Sequence, residues 1–98
     1  MSAYLFQIEL PPLTEEVINL IPVHRKHINK LFAEGRILSY SVSINRDHIW
    51  CVINAEDEKE AMEILSEFPL RRYFTDVLWH TLLFHNSLPV AMPGISLN

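Results

Sequence analysis

The stretch Ile37 to Asn54, ILSYSVSINRDHIWCVIN, decides how the rest of this chain is read. In its first half Leu38, Tyr40, Val42 and Ile44 alternate with Ser39, Ser41 and Ser43, the period-2 pattern of a strand with one apolar face. Asn45-Arg46-Asp47 follows as a short hairpin turn, because Asn and Asp side chains bond nearby backbone and tolerate turn conformations. His48 to Asn54 alternates again, with Trp50 and Val52 on one face and Ile49, Cys51 and Ile53 on the other. Both faces of this second strand are apolar, so both are expected to be covered.

Outward from the hairpin, each flank reads as a helix and then a strand. On the N-terminal side Ile21, His24, Ile28, Leu31 and Phe32 share one face at helical spacing, and Gly35 supplies the left-handed stop. Thr14 offers a cap, with Glu15 and Glu16 near the positive end of the helix dipole. Pro22 predicts a break or kink, so the better-defined helix is expected over Pro22 to Glu34. Ala3 to Leu10 reads as a strand ended by Pro11-Pro12. On the C-terminal side Asp57 and Glu60 have capping-box spacing, and Ala61, Met62, Ile64, Leu65 and Phe68 form the apolar stripe of a helix that Pro69 closes. Glu56, Glu58, Glu60, Glu63 and Glu67 read as its solvated outer face. Tyr73 to His85 predicts a last strand, with Val77, Trp79, Thr81 and Leu83 opposed to Asp76, Leu78, His80, Leu82 and Phe84.

The order is β-α-β-β-α-β, an α+β, ferredoxin-like arrangement with a four-stranded antiparallel sheet. Residues 1–87 are expected to form this domain. The tail, residues 88–98, keeps Val90, Met92, Ile95 and Leu97 and is expected to lie on a partner subunit. At 98 residues with 49% hydrophobic content, the chain has more apolar material than one small core needs. A second copy of the sheet is the simplest cover for the face that the helices leave bare.

The net charge of −4 and the absence of a stacking motif argue against a nucleic-acid partner. The cluster His24-Arg25-Lys26-His27 with Lys30 reads instead as one partly solvated helical face. Cys51 is the only cysteine, which leaves no intrachain disulfide and no cysteine-pair metal site. Met1 to Glu9 shows neither the basic n-region nor the long apolar core of a secretion signal, and no apolar run approaches the about 20 residues of a membrane helix. No membrane partner and a cytoplasmic setting are therefore expected.

With that order of elements the chain resembles the dimeric α+β barrel superfamily, and within it the muconolactone isomerase family over about Leu20 to Ser87. The matching stretches are Lys30-Leu31-Phe32-Ala33-Glu34-Gly35, Phe68-Pro69-Leu70 and Phe84-His85-Asn86-Ser87. Pro22-Val23-His24 with Glu34-Gly35-Arg36-Ile37-Leu38 is similar to the YciI-like branch. The resemblance implies a homo-oligomer meeting through its sheets, a small cyclic or aromatic-derived substrate, and no metal or organic cofactor. In the isomerase a proton is taken from one carbon of a lactone and returned to another. Where isomerase relatives place acidic and basic residues on the first helix, this chain has Ile21, Pro22 and Val23, so no carboxylate base carries over. The YciI-like branch has a histidine at the position of His24.

His24 is also the candidate that the residues themselves single out, because its helical face looks toward the sheet and an imidazole suits general acid–base work. The bland alternative is a core histidine bonded to a backbone carbonyl. Arg25 or Arg72 is the expected holder of a substrate carboxylate, and Tyr40 with Ser39 and Ser41 is expected to shape the pocket. Asp76 and His80 share a strand face, as an ion pair or as further site residues. His24 and His27 lack the spacing of a metal pair, so no metal is expected. Two functions follow: an isomerase-like enzyme of proton transfer on a small organic acid or lactone, or a non-catalytic small-molecule-binding or assembly module on the same scaffold.

Overall fold

The computed structural model describes residues 1–87, and the tail expected over residues 88–98 lies outside the described residues. The elements run β1 (Ser2–Glu9), α1 (Glu15–Ala33), β2 (Ile37–Val42), β3 (His48–Ala55), α2 (Glu58–Ser66), a short 3-10 turn (Arg71–Tyr73) and β4 (Asp76–Leu82). The four strands form one sheet in the order β2-β3-β1-β4, with every neighbouring pair antiparallel. This is the expected ferredoxin-like α+β fold.

Strand β1 is central and its alternation is strict: Tyr4, Phe6 and Ile8 are buried under the helices, while Gln7 and Glu9 are exposed. Opposite them Ile49, Cys51 and Ile53 of β3 continue the same buried face. The helices add Ile28 and Leu31 from α1 and Ala61, Ile64 and Leu65 from α2, and Phe68 just beyond α2 completes the core. Each large apolar side chain buried there contributes about 1.5–3 kcal/mol.

Both helix starts are capped as expected. The Thr14 hydroxyl accepts from the Val17 amide at 3.2 Å, and the Asp57 carboxylate accepts from the Glu60 amide at 2.8 Å. Gly35, at φ 73, ends α1 with its amide donating to the Phe32 carbonyl.

Several expectations are corrected. Helix α1 runs unbroken from Glu15 to Ala33 with Pro22 inside it. The proline deprives the Ile18 carbonyl of an amide partner, but Ile18 and Pro22 lie on the exposed side, and the buried contacts of Val17, His24 and Ile28 span the gap. Phe32 is 41% exposed and does not join the core. In β2 an extra residue interrupts the ladder: Ile37 faces Ile53 but Ser39 faces Val52, so Leu38 is bulged. Ile37 rather than Leu38 is therefore the buried residue, and Leu38 is 40% exposed. Strand β4 is shorter than Tyr73 to His85, because Arg71–Tyr73 turn as a 3-10 helix before it.

The sheet face away from the helices carries Ala3 and Leu5, Trp50 and Val52, and Leu78 and Leu82. Trp50 is 37% and Leu78 51% exposed there. Polar residues border it: Ser39 and Ser41 at one edge, Asp76 and His80 on the other edge strand.

Replacing Pro22 by alanine restores an amide donor to a helix that is already continuous. Pro22→Ala is expected to raise stability in urea denaturation, by up to about 3 kcal/mol. A loss of stability would show that the proline is built into the packing of α1.

Candidate functional site

Helix α1 crosses from the end of β1 to the start of β2 and lays His24 over the edge of the sheet. Antiparallel pairing puts Tyr40 of β2 opposite Cys51, on the helix-covered face. The two side chains meet there: His24 Nε2 and the Tyr40 hydroxyl are 2.8 Å apart. Phe68, just past the end of α2, packs against the His24 ring at 5.6 Å between centroids and against the His27 ring at 6.3 Å, both edge-on. Phe74 meets Phe68 edge-on in turn, at 6.4 Å. The site is thus a largely buried aromatic cluster with one imidazole–phenol bond inside it.

Burial governs its electrostatics. His24 is only 5% exposed, and desolvation, with a smaller contribution from neighbouring His27, lowers its pKa from 6.5 to about 4. It is therefore a neutral imidazole at physiological pH. Burial pushes the Tyr40 phenol well above its ordinary value, with nearby Cys51 adding to the effect, so the hydroxyl stays protonated. The Cys51 thiol is also buried and pushed up to about 12, which removes it as a nucleophile. The other ring nitrogen, His24 Nδ1, is buried and has no hydrogen-bond partner among the described residues. When Tyr40 donates to Nε2, Nδ1 carries the proton; when Nε2 donates to Tyr40, Nδ1 presents a lone pair. The pair can thus offer either an acid or a base at one buried atom.

The other expected site residues lie elsewhere. Ser39 and Ser41 point to the open face, opposite Val52 and Trp50, and so line no pocket with His24. Their neighbour Ser43 fastens the hairpin instead: its hydroxyl donates to Asp47 at 2.6 Å and accepts from the Asp47 and His48 amides. Asp76 and His80 share the open face, as their spacing implied, but both are exposed, so Asp76 needs no ion-pair partner. Arg72 stacks over Tyr73 at 5.0 Å, bonds its hydroxyl and reaches Glu16 at 3.5 Å on the surface. Arg25 is exposed, one residue from His24. Sequence reasoning passed over Phe68 and His27 as site members: Phe68 reads as ordinary helix stripe, and only the meeting of α1 with the end of α2 reveals the contact.

No family model matches the chain, and no curated protein does. Among solved structures the chain is similar to 5-chloro-2-hydroxyhydroquinone dehydrochlorinase, TftG, from Burkholderia phenoliruptrix AC1100, in complex with 2,5-dihydroxybenzoquinone. The likeness has a TM-score of 0.67 at 13% identity and covers 80% of this chain and 90% of that one. At that identity the likeness establishes the fold. Among the described residues no helix is long and apolar enough to cross a membrane, and no three His, Cys, Asp or Glu side chains are grouped to hold a metal ion.

The depressed His24 pKa sets a pH dependence. As pH falls below 6.5 the unfolded chain takes up a proton that the folded protein refuses until about pH 4. Stability is therefore full above 6.5 and falls across that window, by about 3 kcal/mol at about 1.4 kcal/mol per pH unit. Urea titrations at pH 7 and pH 4 should show this loss in the wild type and a smaller one in His24→Gln; equal losses would mean that His24 is not buried neutral.

Proposed function

We propose that the protein is an enzyme of proton transfer, similar to muconolactone isomerase, acting on a small cyclic or aromatic-derived organic acid or lactone. The observation that carries the reading is the buried His24–Tyr40 pair, with Nδ1 of His24 unpartnered among the described residues and set in an aromatic cluster. In the proposed step Nδ1 takes a proton from an activated carbon, Tyr40 holds the Nε2 side of the resulting imidazolium, and the same nitrogen returns the proton to a second carbon. No other co-reactant is needed. A base with a pKa of about 4 removes efficiently only a rather acidic proton. That favours carbon acids conjugated to carbonyls, as in unsaturated lactones and hydroxyquinones. The similarity in fold to a dehydrochlorinase solved with a dihydroxybenzoquinone supports the same class. Arg25, exposed beside His24, is the guanidinium available to draw in a substrate carboxylate, whereas Arg72 is already engaged by Glu16 and Tyr73.

The proposal includes a second copy of the chain, seated on the open sheet face over Trp50 and Leu78. Ser39, Ser41, Asp76 and His80 then belong to the rim of that contact.

One observation favours a non-catalytic binding or assembly module instead. His24 is 5% exposed, and the surface groove along α2, lined by Glu58, Lys59, Met62, Glu63 and Ser66, includes no member of the cluster.

Solvent-deuterium incorporation into unsaturated γ-lactones, followed by NMR, separates the two readings. His24→Ala should lose about 10²–10⁴-fold in turnover while keeping its circular dichroism spectrum. The wild-type rate should rise with a midpoint near pH 4 and be level through neutrality. Turnover that survives His24→Ala would end the enzyme assignment. Light scattering should give a dimer or larger closed assembly, reduced in mass by Leu78→Asp; a stable wild-type monomer would remove the sheet-to-sheet contact.

A further inference from the structure

We propose that His27 is the second half of the His24 site, and that His24 Nδ1 and His27 Nε2 together grip a neutral ring edge bearing a hydroxyl beside a carbonyl. This names the substrate class of the proton-transfer site and rests on that reading. Two imidazole nitrogens in this region are buried and without a partner among the described residues, Nδ1 of His24 and Nε2 of His27. Each such atom carries a desolvation cost that no hydrogen bond repays. The two residues are three apart on α1, which brings their Cβ atoms to about 5–6 Å. Both rings also stand edge-on to the same Phe68 ring. One ligand lying against Phe68 and meeting both nitrogens relieves both costs together.

The chemistry of the pair selects the ligand. A neutral imidazole has one N–H and one lone pair, and its tautomer can switch. Two of them match an edge with one donor and one acceptor, a hydroxyl next to a carbonyl. A carboxylate offers acceptors only and brings charge among Phe68, Phe74 and Tyr40, where burial disfavours it. A metal ion finds two imidazoles where a zinc site supplies three or four protein ligands. His27 is half-buried and His24 buried, so the His27 side is the direction of approach. Any carboxylate of the substrate stays outside, toward Arg25.

The test uses the full chain labelled with 15N and maltol as the probe, a neutral ring with adjoining hydroxyl and carbonyl. Long-range 1H–15N spectra should show maltol shifting both His24 Nδ1 and His27 Nε2, with benzoate shifting neither. His27→Leu should weaken maltol binding by about tenfold, as expected for a lost buried hydrogen bond. The wild-type spectra stand even where that variant folds poorly. Shifts confined to His24, or no binding of maltol by the wild type, would overturn the paired grip and leave the His24 proton-transfer reading intact. That reading is decided separately, by the turnover of His24→Ala.

Discussion

Because β1 is hydrogen-bonded to β3 on one side and β4 on the other, its alternation decides which surface of the whole sheet is core. Tyr4, Phe6 and Ile8 face the helices, and every partner strand must present its matching residues to the same side. A slip of one residue would turn Phe6 and Ile8 to the open face and Gln7 into the core, a change that no local adjustment repairs. Right-handed crossovers then bring both helices to that single covered face. The position of His24 follows from this. It lies at mid-helix on a segment that must pass over β2, and Tyr40 is the β2 residue that the register turns up to meet it.

The site obtains its character from burial more than from charge. Desolvation holds an imidazole, a phenol and a thiol all neutral. A neutral imidazole with one nitrogen bonded and the other unbonded is a poor way to stabilise a core. An aliphatic residue of similar size would leave no polar atom unsatisfied. That unbonded nitrogen is the observation on which the proposal for His24 rests.

Much of the fold is legible along the chain because its signals are local. The alternation of β1, β3 and β4 and the caps Thr14 and Asp57 each involve residues a few positions apart, and the structure reproduces them. Pro22 misleads for the same reason: its local penalty is real, but tertiary burial on either side outweighs it. The bulge at Leu38 is invisible in β2 alone, since an extra residue exists only relative to the partner strand. His24 is legible as a polar residue on an apolar face. Its bond to Tyr40 and its contact with Phe68 are not, because both depend on sequence separations that only the assembled topology closes. The serine row shows the converse, a clear pattern whose place on the far face of the sheet separates Ser39 and Ser41 from His24.

The bulge at Leu38 also bears on how copies of this chain can aggregate. Strand β2 is an edge, with unpaired backbone groups available to any passing strand. A regular edge of that kind, in a chain this rich in apolar residues, would template addition of strand upon strand without limit. The extra residue twists the edge and breaks the even spacing of its donors and acceptors. Growth sideways at this edge is thereby discouraged.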